Sequence, residues 1–97
     1  MARRKRAPMS ITVELFGIPR QRAGVAKTEA AGTRLDEVLA DLARRFPRLA
    51  EECFRQRDGG LKSGTLVNLN GRRFVTDPAT VLAPGDALLI LSADAGG

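Results

Sequence analysis

The stretch TRLDEVLADLARRFP, residues 33–47, carries the strongest pattern in the sequence. Five of its apolar residues recur at intervals of three or four, which places them on one face of an α-helix, and charged residues take the other face. We interpret Thr33 and Asp36 as a variant capping box at the start of the helix. Pro47 is predicted to end it. The apolar face consists of Leu35, Val38, Leu39, Leu42 and Phe46.

Two strands are predicted before this helix. Residues 11–16 alternate apolar and polar side chains until the end of the run, which is typical of a half-buried strand. Residues 17–24 contain Pro19 among polar neighbours and predict a loop or turn. Residues 25–31 form a weaker second strand, so the chain opens with a predicted hairpin.

The second half of the chain predicts a short helical turn, a loop and three more strands. Asn70-Gly71 is a strong signal for a tight hairpin, because both residues tolerate positive φ. Pro84-Gly85 fits the central positions of a type II turn. The apolar run at 87–91 is typical of a central strand buried on both faces, and we expect it beside the first strand. The other predicted segments are the turn at 49–54, a mobile polar loop at 55–64 and strands at 65–69 and 72–76.

These elements predict an α+β domain, in which one main helix packs on one face of a sheet of four to five strands. The length of 97 residues suits one domain. The longest apolar run is too short for a membrane-spanning helix. We divide the chain into a disordered basic arm at 1–8, a folded domain at 9–92 and a flexible tail at 93–97.

Composition excludes several kinds of chemistry. The sequence has no histidine and one cysteine, Cys53. An intrachain disulfide, a cysteine zinc cluster and catalysis by a histidine base are therefore excluded. Cys53 falls at apolar spacing with no visible activating group, which favours a place in the core. We expect a small cytoplasmic domain whose chemistry depends on other groups or on a partner.

The basic arm accounts for most of the net positive charge. Removing the four basic residues at positions 3–6 lowers the formal net charge from +5 to +1. We interpret the arm as a solvated terminal segment, and translation could begin after it, at Met9. The alternative is an arm that binds nucleic acid. The sequence has four phenylalanines and no tyrosine or tryptophan, which disfavours stacking on bases.

The last residues, Ser92-Ala93-Asp94-Ala95-Gly96-Gly97, contain no side chain suited to a core. A frayed end is the simple interpretation. The functional one is a tail that threads into another protein, because glycine without a Cβ passes through a narrow channel and leaves the last carbonyl open to attack. A carboxylate is a poor acyl donor until it is activated, for instance as an acyl-adenylate. Nothing in the sequence predicts ATP binding, so this interpretation requires an enzyme partner.

The order of these features resembles the ubiquitin-like sulfur carriers of the MoaD/ThiS family, which have the β-grasp fold. The resemblance covers about residues 9–97. It depends on the strand at 11–16, the helix at 35–46 with the FPRL sequence at its end, the Asn70-Gly71 turn, the LAPGD sequence at 82–86 and the terminal Ala95-Gly96-Gly97.

The resemblance implies a carrier mechanism with no bound cofactor. A ubiquitin-activating-type enzyme would use ATP to adenylate the Gly97 carboxylate, and a persulfide donor would convert it to a thiocarboxylate. Gly96 would supply clearance. Docking is expected through an exposed apolar part of the sheet, with Phe74 or Val75 as candidates. In the tail, Ala95 and Asp94 are further partner-binding candidates, although family tails often have proline or bulky apolar residues before the two glycines.

The resemblance leaves the destination of the sulfur open. The sulfur acceptor would be a synthase, either the large subunit of molybdopterin synthase or a sulfhydrylase that forms cysteine, and the length of the segment at 47–64 disfavours a thiazole carrier. One alternative is a protein modifier, in which the same activated Gly97 forms an isopeptide bond with a lysine. A more remote one is an RNA-binding module that uses the arm. We do not expect the chain to be an enzyme on its own.

Overall fold

The computed structural model describes residues 10–55 and 58–93. In these ranges a mixed sheet of five strands packs against three helices. The elements are β1 (Ser10–Leu15), α1 (Ile18–Ala23), β2 (Lys27–Ala31), α2 (Leu35–Arg45), α3 (Pro47–Cys53), β3 (Thr65–Leu69), β4 (Arg73–Phe74) and β5 (Ala87–Ser92). None of the helices in the described ranges is long and apolar enough to cross a membrane.

The sheet has the strand order β2-β1-β5-β3-β4. β5 lies at its centre and runs parallel to β1, while the other neighbouring strands are antiparallel. The predicted position of the last strand beside the first is confirmed. With α2 across one face, this arrangement is the β-grasp fold that the resemblance implied.

The core lies between that face of the sheet and the helices. Alternate residues of β1, β3 and β5 are buried, as the period of two requires. The predicted burial of β5 on both faces is wrong: Leu88 and Ile90 are buried, but Leu89 and Leu91 are only partly covered. The reason is that the helices cover one face only. α2 contributes Leu35, Val38, Leu39 and Leu42 to the core.

Both predicted turns are confirmed. Asn70 and Gly71 have φ values of 58° and 70°, and the Arg72 N–H donates to the Leu69 carbonyl over 3.0 Å, as in a type I′ hairpin. Gly85 has a φ of 88°, and the Asp86 N–H donates to the Ala83 carbonyl over 3.0 Å. The strand after the hairpin is shorter than predicted, because its ladder covers only Arg73–Phe74.

The prediction of a loop or turn at residues 17–24 is wrong, because this segment forms the helix α1. Gly17 enters the helix with a φ of 71°, Pro19 lies in the first turn, and Gly24 ends it in the left-handed conformation. Helices often have a proline in the first turn and a glycine just beyond the end. Pro19 and Gly24 show this pattern in the sequence. Pro47 likewise begins α3 in addition to following α2.

The predicted capping box at the start of α2 is also wrong. The N-cap is Arg34, with no side-chain cap, and the Thr33 hydroxyl bonds the carboxylate of Glu37. The first amides of α2 are satisfied by distant carbonyls: Leu35 donates to Thr80 and Asp36 to Pro78, both over 2.9 Å. A tertiary contact therefore replaces the local cap.

The described part of the predicted polar loop at 55–64 is tied back to the domain. Phe54 and Leu61 form an isolated β-bridge, and the Arg55 N–H donates to the Gly60 carbonyl over 2.8 Å. The Arg55 guanidinium also contacts the Asp58 carboxylate at 3.0 Å. These bonds hold the loop beside the end of α3.

The outer edge of β2 is covered by side chains of α2. Alternate residues of an edge strand direct their backbone groups away from the sheet. At this edge the Glu29 carbonyl accepts from the Arg45 guanidinium at 2.5 Å, and the Ala31 N–H donates to the Asp41 carboxylate at 3.0 Å. α2 therefore closes part of an edge that would otherwise be free to pair with another strand.

Candidate functional site

The central strand β5 leads to the predicted reactive end of the chain. It finishes at Ser92, and the Ala93 N–H donates to the Gly64 carbonyl over 2.6 Å. Ala93 is the last described residue. The predicted reactive residues, Gly96 and Gly97, and the predicted contacts Asp94 and Ala95 lie outside the described residues, so their roles stay predictions.

The face of the sheet opposite the core carries a row of apolar side chains, which we call the apolar patch. Leu66 lies opposite Leu91 in the β3–β5 ladder, and Phe74 lies on the edge strand β4. Phe74 and Phe16 are the most exposed of the set, at 58% and 56%. The patch consists of Phe16, Leu66, Phe74, Leu89 and Leu91.

The structure separates the two predicted docking residues. Phe74 is exposed on the apolar patch, whereas Val75 is 3% exposed and belongs to the core. Successive residues of an extended chain point to opposite faces, so only one of the two can face a partner. Val75 is therefore corrected to a core residue, and Phe74 alone remains a docking candidate. Arg72 and Arg73 are exposed beside it at the same edge.

Sequence reasoning missed the rest of the patch. Leu89 and Leu91 alternate with the buried Leu88 and Ile90. The alternation was hidden because every residue from 87 to 91 is apolar. The number of predicted helices was the available signal. One main helix covers one face of the sheet, so every second residue of a central strand lies on the uncovered face.

A hydrogen-bond network joins the hairpin that carries Phe74 to the start of β5. The Asn70 side chain donates to the Asp86 carboxylate over 3.0 Å and accepts from the Ala87 N–H over 2.8 Å. The other Asp86 oxygen accepts from the Ala83 N–H over 2.8 Å. The Ala83 N–H first, and then the Asn70 amide, hold the pKa of the Asp86 carboxyl below its usual value.

Cys53 is buried in the core, as predicted. Burial raises the pKa of its thiol, which disfavours the nucleophilic thiolate. No group of three or more histidine, cysteine, aspartate or glutamate side chains is arranged to hold a metal ion within residues 10–55 and 58–93.

Comparisons with solved structures agree with this arrangement. SAMP1 from Haloferax volcanii is 24% identical, and the alignment covers 91% of this chain and 99% of that chain with a TM-score of 0.77. A chain of the Amycolatopsis orientalis BexX/CysO complex is 26% identical, with 90% and 99% covered and a TM-score of 0.75. Pyrococcus furiosus putative molybdopterin converting factor, subunit 1, is 22% identical, with 87% and 97% covered and a TM-score of 0.67.

Curated protein sequences gave no significant match. The model of the ThiS family matches residues 13–97, which includes the second half of β1 and every later strand and continues through the two terminal glycines. The match therefore covers most of the domain together with the tail. The chain belongs to the ThiS family, whose fold is that of the ubiquitin-like sulfur carriers and modifiers.

Proposed function

We propose that the protein is a sulfur carrier whose reactive group is the Gly97 carboxylate. A partner, here called the activating enzyme, directs this carboxylate to the α-phosphorus of ATP and releases pyrophosphate. A persulfide then displaces AMP from the acyl-adenylate, and a thiol cleaves the new S–S bond. The product is a Gly97 thiocarboxylate. The family match through residue 97 supports this assignment.

The observation that carries the proposal is the continuity between the apolar patch and the tail. β5 contributes Leu89 and Leu91 to the patch and ends at Ser92. A protein that covers the patch therefore lies beside the point where the tail departs. The four residues after Ala93 reach at most about 14 Å when extended, which limits how far the partner's reactive site lies from the edge of the sheet.

The sulfur acceptor in this proposal is a synthase of the molybdopterin type or a sulfhydrylase. The similarity to a chain of the BexX/CysO complex supports a protein partner in general, because that chain was solved together with a second protein.

The test is the intact mass of the protein purified untagged from its host. We expect a fraction heavier by the exchange of one oxygen for sulfur. A variant lacking Gly97 is the control and should show no such fraction. Incubation with the activating enzyme of the same host and ATP should release pyrophosphate only with the full-length chain. Absence of both signals would refute the carrier function.

The same samples test the protein-modifier alternative, since an activated Gly97 can also acylate a lysine. Conjugation would give larger species on a denaturing gel that resist thiols and disappear when Gly97 is deleted. A heavier free chain without such species supports the carrier, and conjugates without a thiocarboxylate support the modifier.

A further inference from the structure

A small cleft of about 140 Å³, with a mainly apolar lining, interrupts the open face of the sheet. Glu14 of β1 and Asn68 of β3 line it, and both are paired with Leu89 of β5, one on each side. Neighbouring strands lie about 4.8 Å apart, so the two polar residues start from backbone positions about 10 Å apart. Leu89 forms the floor between them.

Asn68 lines this cleft, and its side chain has an unsatisfied acceptor. Its Oδ1 is buried, and it is the one buried side-chain polar atom without a hydrogen-bond partner in the part of the chain that the structure describes. A buried polar atom left unpaired destabilises the fold, because it loses its hydrogen bonds to water and gains none in the protein. Because such atoms are rare in folded proteins, each of them needs an explanation.

Glu14 brings a charge that is also unpartnered. Its side chain is exposed, and among the described residues no cation lies within ion-pair distance, although Lys27 is opposite Glu14 in the β1–β2 ladder. The cleft also includes Asn70, but that side chain is already bonded to Asp86 and Ala87. The cleft thus has an exposed carboxylate on one side of an apolar floor, and on the other side the Asn68 amide, whose free acceptor is covered in the unbound protein.

This combination fits an arginine side chain. A guanidinium carries five N–H donors in a planar fork, which suits a carboxylate and a neighbouring amide oxygen. The hydrocarbon stem of arginine can lie on apolar surface such as Leu89 while its charged end stays with polar groups. Lysine would bring a single point charge and could not match two acceptors on opposite sides as well.

We propose that the cleft receives an arginine of the activating enzyme, whose guanidinium bridges Glu14 and Asn68. The inference rests on the proposed function, because that function requires the activating enzyme as a partner. Contacts with the apolar patch are non-directional. The bridged guanidinium supplies the direction: it fixes the rotation of the partner on the sheet, and with it the position of the tail in the partner.

The experiment measures the affinity of the full-length chain for its host's activating enzyme by calorimetry, together with the melting temperature of each variant. Asn68→Leu should bind at least tenfold more weakly and yet melt at a higher temperature, because it removes the unpaired acceptor. A purely structural residue would lower both quantities. Glu14→Gln should also bind at least tenfold more weakly and reduce the salt dependence of binding. Glu51→Gln, the same charge change on α3, is the control and should bind normally.

Three results would overturn the inference. If the wild-type chain is bound and adenylated while Glu14→Gln and Asn68→Leu bind within twofold of it, the cleft has no arginine and the proposed function still stands. If Asn68→Leu melts at a lower temperature than wild type, the Glu14→Lys variant is used in its place. Wild-type affinity of Glu14→Lys for the activating enzyme would again mean that the cleft receives no arginine. If deletion of residues 1–8 strengthens binding tenfold and abolishes the effect of Glu14→Gln, the chain's own basic arm occupies the cleft. A wild-type chain that is neither bound nor adenylated refutes the proposed function itself.

Discussion

Asn70 donates a side-chain hydrogen bond to the Asp86 carboxylate over 3.0 Å and so connects the turn before β4 with the turn before β5. The same asparagine holds a φ of 58° and accepts from the Ala87 N–H. One residue therefore makes the hairpin turn and fastens it to the central strand. The position of Phe74 depends on this connection, because β4 pairs only with β3.

Replacing Asn70 with glycine tests that connection. Glycine adopts the positive φ without strain, so Asn70→Gly removes the side-chain hydrogen bonds and leaves the turn. We expect a loss of about 1–2 kcal/mol in the free energy of unfolding, since each such bond contributes roughly 1 kcal/mol. Urea denaturation measures it. Gly71→Ala is the complementary variant: it keeps the bonds but strains the turn, and nothing lies within 4 Å of its added Cβ.

The stability that Asp86 contributes should depend on pH. Its folded-state pKa is lowered, from an unfolded value of about 3.9. The contribution is therefore present above that value and is lost as the pH falls through the folded-state pKa. The difference in unfolding free energy between wild type and Asp86→Asn should be largest near neutral pH and shrink below about pH 3.9. An equal difference at pH 7 and in acid would contradict this.

Phe74 and Val75 should respond in opposite ways to truncation. Phe74→Ala should leave the melting temperature nearly unchanged and weaken binding to the activating enzyme, because the ring is 58% exposed on the apolar patch. Val75→Ala should cost roughly 1–3 kcal/mol of stability, since it removes buried apolar surface. At a temperature where both variants are folded, its binding should stay near that of wild type. Equal binding by Phe74→Ala and wild type would remove Phe74 from the docking surface.

The contacts of α2 with the edge of β2 should keep the protein from self-association. The double variant Asp41→Ala/Arg45→Ala frees the Ala31 N–H and the Glu29 carbonyl. Exposed edges of this kind pair with other strands. Light scattering should show oligomers of the double variant at concentrations where wild type shows none. Arg44→Ala, which loses only an exposed ion pair with Asp41, is the control, and oligomers of it to the same extent would refute the explanation.

How far the sequence predicts the structure depends on whether a signal is local. The helix at 35–46 and the Asn70-Gly71 turn were predictable because spacing and positive φ are properties of a few neighbouring residues. The start of α2 was not, because the carbonyls of Thr80 and Pro78, which satisfy its first amides, come from a distant loop. α1 was missed although Pro19 and Gly24 marked its ends, because its six residues have almost no apolar periodicity.

The candidate site divides in the same way. The terminal diglycine can be read directly from the sequence, and Phe74 was identified there as a docking candidate. Leu89 required knowledge of which face the helices cover. The pairing of Glu14 and Asn68 on either side of Leu89 comes from the ladder register, which joins three strands that are far apart in sequence. A single sequence does not fix that register.

The parallel pairing of β1 with β5 has a mechanical consequence. A pull on the chain beyond Ser92 acts along the axis of β5, which is bonded to β1 on one side and to β3 on the other. Such a force loads both rows of hydrogen bonds in shear, all at once, and does not peel them apart one by one. An enzyme can therefore draw the tail taut into a narrow channel while the sheet that it grips keeps its shape.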